Sequence, residues 1–569
     1  MAGDFEVIGT NDDAPFTLKV HRGEGMCLLG MNWKEGTPPD DFVGFAIEYR
    51  EPNGNQFYPL SNRLCFPHDA DAAGPDTRSS RKSPIQKWRW VHFPRHPELA
   101  GDFTYRVTPV FMDENDELTY GEVQEIDIQL CRETYPDLLN VSFTRGFVSS
   151  QAFVDRYQKH GEISTLIPGN ADEGLTFEPT HPKTTDALGW MGFEARNAIL
   201  QVLDQAIEDA SAQVRVVAYD LSEPDVVSRL EKLGDRLRII IDDSGTHGPD
   251  TSGESQAADR LSDSAGSDNV KRQHMLSLQH NKTIVVDGDN VQKVVCGSTN
   301  FSWRGFFVQS NNAVVMTGKD AIKPFLSAFE EYWTNPTKFK KSASAEWCDL
   351  GLPNIDAKVA FSPHGSANAL LADVAADVEE NTTSSLLYSL AFIYQTRGVI
   401  PDTIRKISKS DNIFVYGISD RKAGGLELTK PGGNVSPVYS AALSENVPKP
   451  FSEEPTGGGG VRMHHKFIVI DFDKPTARVY MGSYNFSTPA DTKNGENLLL
   501  IRDRRIAVSY VVEALRIFDH YHFRVMRKEA QEAGRDLDLI KPPRNADDDP
   551  WWKAHYTDPR KARDRELFS

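Results

Sequence analysis

One block of sequence occurs twice, and it constrains everything around it. The first copy is His280-Asn281-Lys282-Thr283-Ile284-Val285-Val286-Asp287, with Gly297-Ser298-Thr299-Asn300 a short way downstream. The second is His464-His465-Lys466-Phe467-Ile468-Val469-Ile470-Asp471, with Gly482-Ser483-Tyr484-Asn485 at nearly the same distance. In each copy a run of β-branched and apolar residues reads as a buried strand. Side chains alternate sides along a strand, so His280 and Lys282 share one face, as do His464 and Lys466. His465 falls on the opposite face and is expected to be structural. The next segments, KVVCGSTNFS and ARVYMGSYNFS, pair back as hairpins. Their small Gly-Ser lets backbones approach closely and brings Asn300 and Asn485 to the same point.

The surroundings repeat as well. Before the first copy the pattern predicts a helix over 190–210, a strand over 214–219, a helix over 224–234 and a strand over 236–242, then a polar stretch, 243–269. Before the second it predicts a helix over 367–381, a strand over 385–393, a helix over 398–410 and a strand over 412–419. A flexible stretch, 420–461, follows and ends in Gly457 to Gly460. The shared order implies duplication, and alternating elements imply mixed or parallel sheets covered by helices. Structureless connections this long are uncommon inside compact domains. The two stretches either rim a cleft, one of them as a lid, or are plain disordered insertions. After the second copy a long helix is expected over 506–531.

Residues 1–135 follow a different pattern. FVGFAIEYRE (42–51), IQKWRWVHF (85–93), DFTYRVTPVF (102–111) and EVQEIDIQL (122–130) are short, rich in β-formers and separated by turn clusters, which predicts a small all-β sandwich. Tyr105 resembles the corner tyrosine of fibronectin type III or immunoglobulin-like domains. Trp88 and Trp90 are expected to serve core and edge packing. The expected domains are a β-sandwich at 1–135, a first α/β lobe at 136–350, a second at 351–540, and a tail at 541–569 pinned to the body by Trp551 and Trp552.

Composition narrows the function. A net charge of −19 gives no long-range field for non-specific nucleic-acid binding or for anionic membranes. No apolar run approaches the roughly 20 residues needed to span a bilayer, and the N-terminus lacks the pattern of a signal peptide. The expected location is cytoplasmic, with export lacking a cleaved signal left open. The five cysteines are scattered, without C-x-x-C. They read as buried reduced thiols, neither a disulfide framework nor a zinc site.

Two histidines, two lysines and two asparagines converging on one cleft suit a phosphodiester. Lys282, Lys466, Asn300 and Asn485 can donate to the non-bridging oxygens, with Ser298 and Ser483 added to the phosphate-binding set. One histidine attacks phosphorus; the other protonates the leaving alcohol and later activates water or an acceptor alcohol. No acidic cluster at the motifs suits Mg²⁺ or Ca²⁺, so neither metal nor cofactor is expected. Asp287 and Asp471 end their strands and are expected to hold the local fold.

Both copies, H-x-K-x4-D followed by G-S-x-N, resemble the signature of the phospholipase D superfamily. The resemblance covers about 190–530. It implies two duplicated α/β/α lobes forming one cleft, a covalent phosphohistidine and metal-independent phosphodiester exchange. By family habit His280 is the nucleophile and His464 the general acid and base. The family often continues to N-x-E, whose carboxylate orients a catalytic imidazole. The second copy has Asn494-Gly495-Glu496, but the first has Gln309-Ser310-Asn311, an amide where the carboxylate is expected. Either the two histidines are tuned apart or another acid substitutes in space. Three functions stay open: hydrolysis or headgroup exchange of phospholipids, a nuclease or nucleotide phosphodiesterase, and a non-catalytic scaffold with a phosphate-binding cleft. Two motifs and an accessory β-domain in one chain favour the first. They also let a monomer hold the whole site, so no oligomer is required.

Overall fold

The computed structural model describes the chain except residues 1–4, 73–77, 132, 147–149, 392–397, 421–425, 431–434, 439–462 and 535–536. It divides into two compact units, 133–507 and a second made of 1–132 with 508–569.

The 133–507 unit holds two sheets. One runs in the order Leu139–Phe143, Asn312–Thr317, Gln292–Gly297, Lys282–Asp287, Gln213–Ala218, Leu237–Ile241, Val270–Arg272. The other begins at Cys348–Asp349 and continues Asp356–Phe361, Asn497–Arg502, Arg478–Gly482, Lys466–Ile470, Ser385–Leu390, Phe414–Asp420, Leu426–Thr429, Val435–Val438. From Leu139 and from Asp356 the first six strands of the two orders correspond, while the seventh is parallel to its neighbour in the first lobe and antiparallel in the second, so the duplication read from the motifs is one of whole α/β lobes. Each motif strand lies mid-sheet, antiparallel to both neighbours. That is why residues 284–286 and 467–470 are continuously apolar: a central strand covered on both faces has no solvent side. Helices cover the sheets, among them Pro224–Leu233 and Lys319–Thr334 in the first lobe and Leu371–Asn381 and Val399–Ile407 in the second. The helix expected at 190–210 is Thr184–Glu208, broken at Phe193.

The stretch 243–269 is not structureless. It folds into a helix, Gly253–Ala265, and leads into the strand Val270–Arg272. Ser252 caps the helix by accepting from the Ser255 amide. Its buried stripe is Ala257, Ala258, Leu261 and Ala265; such small residues leave almost no hydrophobic pattern to read. At the matching place in the second lobe the chain makes the antiparallel pair Leu426–Thr429 and Val435–Val438. Most of the remaining 420–461 stretch, Gly457 to Gly460 included, lies outside the described residues. Among the described residues no helix is long and apolar enough to cross a membrane.

The other unit contains the all-β region. One antiparallel sheet is Glu6–Ile8, Phe16–Arg22, Cys27–Trp33 and Arg89–His92; the other centres on Phe42–Arg50 paired with Asp102–Met112. Phe16, Phe42, Phe45, Trp88, Phe103 and Tyr105 form the core. Tyr105 is buried, but its hydroxyl meets His92 Nδ1 at 2.9 Å, unlike a corner tyrosine, which bonds to backbone. Trp88 is a core residue, whereas Trp90 is half-buried and lines a cavity of about 500 Å³ with Tyr49, Tyr58 and His92. The cysteines depart from expectation: Cys27 and Cys296 are buried, Cys65 and Cys348 partly so, and Cys131 is exposed.

The C-terminal segment completes this core. Trp551 stacks on Trp88 with ring centroids 5.5 Å apart and donates its indole N–H to the Phe42 carbonyl at 3.0 Å. Trp552 donates to the Pro39 carbonyl at 3.3 Å. Trp551→Ala is expected to cost about 3–5 kcal/mol, the range for truncating a buried large aromatic. The check is a lower thermal-melting midpoint, with the near-UV signal of the tryptophan cluster lost first.

Candidate active site

Each motif strand starts at its lysine, with the histidine just before it. The two lobes meet at these strand entries. Isolated bridges join Gln279 to Gly495 and Ser310 to Met463. The Gly495 amide donates to the Leu278 carbonyl at 2.8 Å, and Asn497 Nδ2 donates to Asn281 Oδ1 at 2.8 Å. A Cβ on Gly495 would lie 2.2 Å from the Gln279 side-chain amide, so a larger residue there would have to displace that side chain. The result is that His280 and His464 face each other, with ring centroids 6.4 Å apart. They are 3% and 4% exposed.

Each histidine is backed by the opposite lobe. His280 Nδ1 lies 3.3 Å from Glu496 Oε1. Glu496 is itself fixed by Asn494 Nδ2 at 2.7 Å and by the Asn485 amide at 2.9 Å. His464 Nδ1 meets Asn311 Oδ1 at 2.7 Å and the Ser298 carbonyl at 3.1 Å. Asn311 is pinned too: its Nδ2 donates to the Gly305 carbonyl at 2.9 Å, and its Oδ1 also accepts from Ser298 Oγ at 3.0 Å. Its two partners among the described residues are both acceptors, so Nδ1 of His464 carries the hydrogen, which leaves Nε2 with a lone pair. The amide therefore occupies the place in the first lobe that the carboxylate occupies in the second.

Electrostatics follow from this. Burial and the Lys282 charge depress His280, and Glu496 offsets them only in part, so its pKa falls to about 4. His464 lies well below the ordinary value, through burial and the charges of Lys466, Lys282 and His280. Burial pulls Lys282 down to about 7 against the charges of Asp220, Glu496 and Asp242. Both histidines are thus neutral at neutral pH. Each lysine donates to the carbonyl of its own motif histidine, Lys282 at 2.6 Å and Lys466 at 2.8 Å.

The remaining expected residues divide into two groups. Asn300 and Asn485 follow the hairpins, and the Oδ1 atom of each is buried without a hydrogen-bond partner among the described residues. Ser298 and Ser483 have engaged hydroxyls: Ser298 Oγ accepts from the Asn312 amide at 3.1 Å while donating to Asn311, and Ser483 Oγ accepts from the Asn497 amide at 2.9 Å. Asp471 is fully buried and accepts from the amides of Thr383, Ser384 and Ser385. Its counterpart Asp287 is exposed. His465 packs among Phe143 and Phe467, with centroids 5.8 and 5.3 Å away. One neighbour escaped the sequence reading. Tyr219, at the end of a predicted strand, places its ring 4.7 Å from the His280 ring with Lys282 Nζ 4.6 Å above it.

Residues 203–333 and 428–519 match the family model described as cardiolipin synthase, PLD-like domain. A phospholipase D of Rickettsia prowazekii (strain Madrid E) is 48% identical over 48 residues, 8% of this chain and 22% of that protein. A phospholipase D of Rickettsia felis is 46% identical over the same length and shares. The chain thus spans about a fifth of the length of the curated relatives it matches. Among solved structures, phosphatidylserine synthase of Haemophilus influenzae Rd KW20 is 14% identical with a TM-score of 0.41, covering 59% of this chain and 91% of that one. The phospholipase D family member Nuc of Salmonella typhimurium is 28% identical with a TM-score of 0.20, covering 24% of this chain and 86% of that one. With both signature copies set face to face in duplicated lobes, and the family model matching around each of them, residues 203–333 and 428–519 are a PLD-like domain of the phospholipase D superfamily.

Proposed function

We propose that this chain is a phosphodiesterase that works through a covalent phosphohistidine and hydrolyses or exchanges the headgroup of a phospholipid. The observation that carries the reading is the opposed pair of buried imidazoles 6.4 Å apart, one backed by a carboxylate and the other by an amide.

The phosphodiester lies between the rings. Lys282, Lys466 and the side-chain amides of Asn300 and Asn485 serve its non-bridging oxygens, where charge accumulates in the transition state. His280 Nε2 attacks phosphorus. As the P–N bond forms, the P–O bond to the leaving alcohol breaks, and its electron pair is taken up with a proton from His464 Nε2. Positive charge arising on the His280 ring is met by Glu496 at Nδ1, which favours His280 over His464 as the nucleophile. Water or an acceptor alcohol then gives its proton to His464 and attacks phosphorus, freeing His280. Both imidazoles are depressed in the resting protein, but a bound phosphate anion offsets the lysine charges that depress them and lets His464 hold the proton it must give.

Similarity to proteins named phospholipase D supports a phospholipid substrate, and the net charge of −19 disfavours a polyanionic substrate. The test is a panel in excess EDTA: phosphatidylcholine micelles, single- and double-stranded DNA, and bis-p-nitrophenyl phosphate. Turnover of the lipid and the small diester is expected. DNA cleavage without lipid turnover would favour the nuclease reading, and no turnover of any substrate would favour the scaffold.

A further inference from the structure

His247 lies outside both motifs, in the polar stretch that folds rather than loops out. It is 8% exposed, and both ring nitrogens are engaged: Nδ1 is 2.9 Å from Asp242 Oδ2 and Nε2 is 3.2 Å from Asp220 Oδ1. Glu254, from the helix Gly253–Ala265, brings a third carboxylate within 4.8 Å of the Asp220 and His247 ligand atoms. The Arg272 guanidinium donates to the carbonyl of His247 and, at 3.2 Å, to that of Asp242.

Each partner of His247 leads to the catalytic strands. Asp242 Oδ1 accepts from the Gln279 amide at 2.6 Å, one residue before His280. Asp220 Oδ2 faces Ser302 Oγ at 3.4 Å, two residues past Asn300, and the backbone beside it bridges Leu221 to Phe301. The Tyr219 ring stands 4.6 Å from the His247 ring on one side and 4.7 Å from the His280 ring on the other. One aromatic ring thus separates His247 from the proposed nucleophile.

We propose that His247 is a positioning residue of the reaction, a permanently charged imidazolium that holds Asp220, Asp242 and Tyr219 in place and offsets the carboxylate field at His280 and Lys282. The proposal rests on the phosphodiesterase reading above.

An imidazole with a carboxylate at each nitrogen donates twice, so it carries both protons. Burial works against the charge, but the hydrogen bonds to Asp220 and Asp242 and the charges of Asp220 and Glu254 lift the pKa to about 10. The same double engagement opposes a metal ion at Asp220, His247 and Glu254, because a ligand nitrogen must give up a lone pair and neither nitrogen is free. The cation matters for the reaction because uncompensated carboxylates near His280 and Lys282 would hold both protonated. A protonated imidazole is no nucleophile. The charged groups facing His247 are Asp220, Asp242, Glu254 and Arg272, with Lys282 beyond Tyr219. Among the described residues, the titratable groups facing His280 are Lys282, Glu496, Lys466, His464 and Asp220.

The test compares pH profiles of kcat/KM for bis-p-nitrophenyl phosphate in the wild type, Asp220→Asn, His247→Asn and the double variant. Removing the Asp220 charge destabilises protonated His280, so the acid limb moves to lower pH. Removing the His247 charge leaves its carboxylates uncompensated, so the limb moves to higher pH. Each displacement is expected at about 0.5–1 pH unit, and the double variant, which loses one charge of each sign, returns close to the wild type. A residue that merely held the fold would lower kcat without opposed displacements; unmoved or like-signed limbs overturn the proposal. A second measurement needs no turnover. Nuclear magnetic resonance of histidine-labelled wild type is followed from pH 5 to 9, with the His247 signal identified by its loss in His247→Asn or, if that variant does not fold, in His247→Gln. A doubly protonated signal that does not move is expected, and titration near the ordinary value overturns the proposal. If the wild type turns over no diester, the phosphodiesterase reading fails on its own, and the resonance result still decides the charge state. Activity lost to a chelator and restored by a divalent ion only when His247 is present would replace the imidazolium with a metal centre.

Discussion

His280→Asn is expected to abolish turnover, with a loss of at least about 10³-fold, because it removes the proposed nucleophile and leaves His464 in the proton-transfer role. His464→Asn behaves differently, and the difference identifies the roles. With bis-p-nitrophenyl phosphate the leaving p-nitrophenolate needs no proton, so the first step survives in His464→Asn and the second stalls for want of a base. One equivalent of p-nitrophenol is released in a burst, and the protein gains the mass of one p-nitrophenyl phosphoryl group. An alkyl diester, whose leaving group does need a proton, gives no burst. A burst in His280→Asn instead would exchange the two roles, and normal turnover in His280→Asn would refute the mechanism.

The second large effect concerns the groups behind the imidazoles. Glu496→Gln keeps the shape but removes the charge 3.3 Å from His280 Nδ1, which in the proposed mechanism meets the phosphorylated ring. The expected loss is about 10²–10³ in kcat, comparable to deleting one transition-state hydrogen-bond donor. Without the carboxylate, which raises the His280 pKa, protonated His280 is less stable, so the acid limb of kcat/KM moves to lower pH than in the wild type. Asn311→Asp is the converse: a carboxylate 2.7 Å from His464 Nδ1 stabilises its protonated form. His464 then retains its proton to higher pH, and the basic limb of kcat moves up by about 1–3 units. Thermal melts confirm that both variants are folded, and the limbs are read from the same preparations. Limbs that stay in place in both variants would show that the amide and the carboxylate do not tune the two rings.

Much of the site was legible because its residues sit on strands. A period of two ties histidine to lysine, and the apolar run between motif and aspartate marks a central strand. The hairpin to G-S-x-N follows from small residues that only close backbone packing requires. The helices at 224–234, 398–410 and 506–531 were equally plain, since their apolar faces are large and periodic. Other parts left no trace. Gly253–Ala265 buries alanines and serines, so it read as a polar connection. Asp287 and Asp471 look identical in sequence, yet one is exposed and the other is buried under three backbone amides. Ser298 and Ser483 share a motif with Asn300 and Asn485, yet each hydroxyl accepts from a backbone amide of the next strand.

By itself the sequence determined the strand pair that carries each histidine and lysine, and the fact that the lobes are duplicates. These depend on local periodicity and on repetition, which a linear chain records. Only the tertiary structure decided that Glu496 serves His280 and Asn311 serves His464, because each contact crosses from one lobe to the other. The same holds for His247, whose partners come from two strand ends, with a helix and a third strand beside it. A lone histidine in a polar stretch has no periodicity to betray it, and its charge is set by carboxylates that become neighbours only when the chain folds.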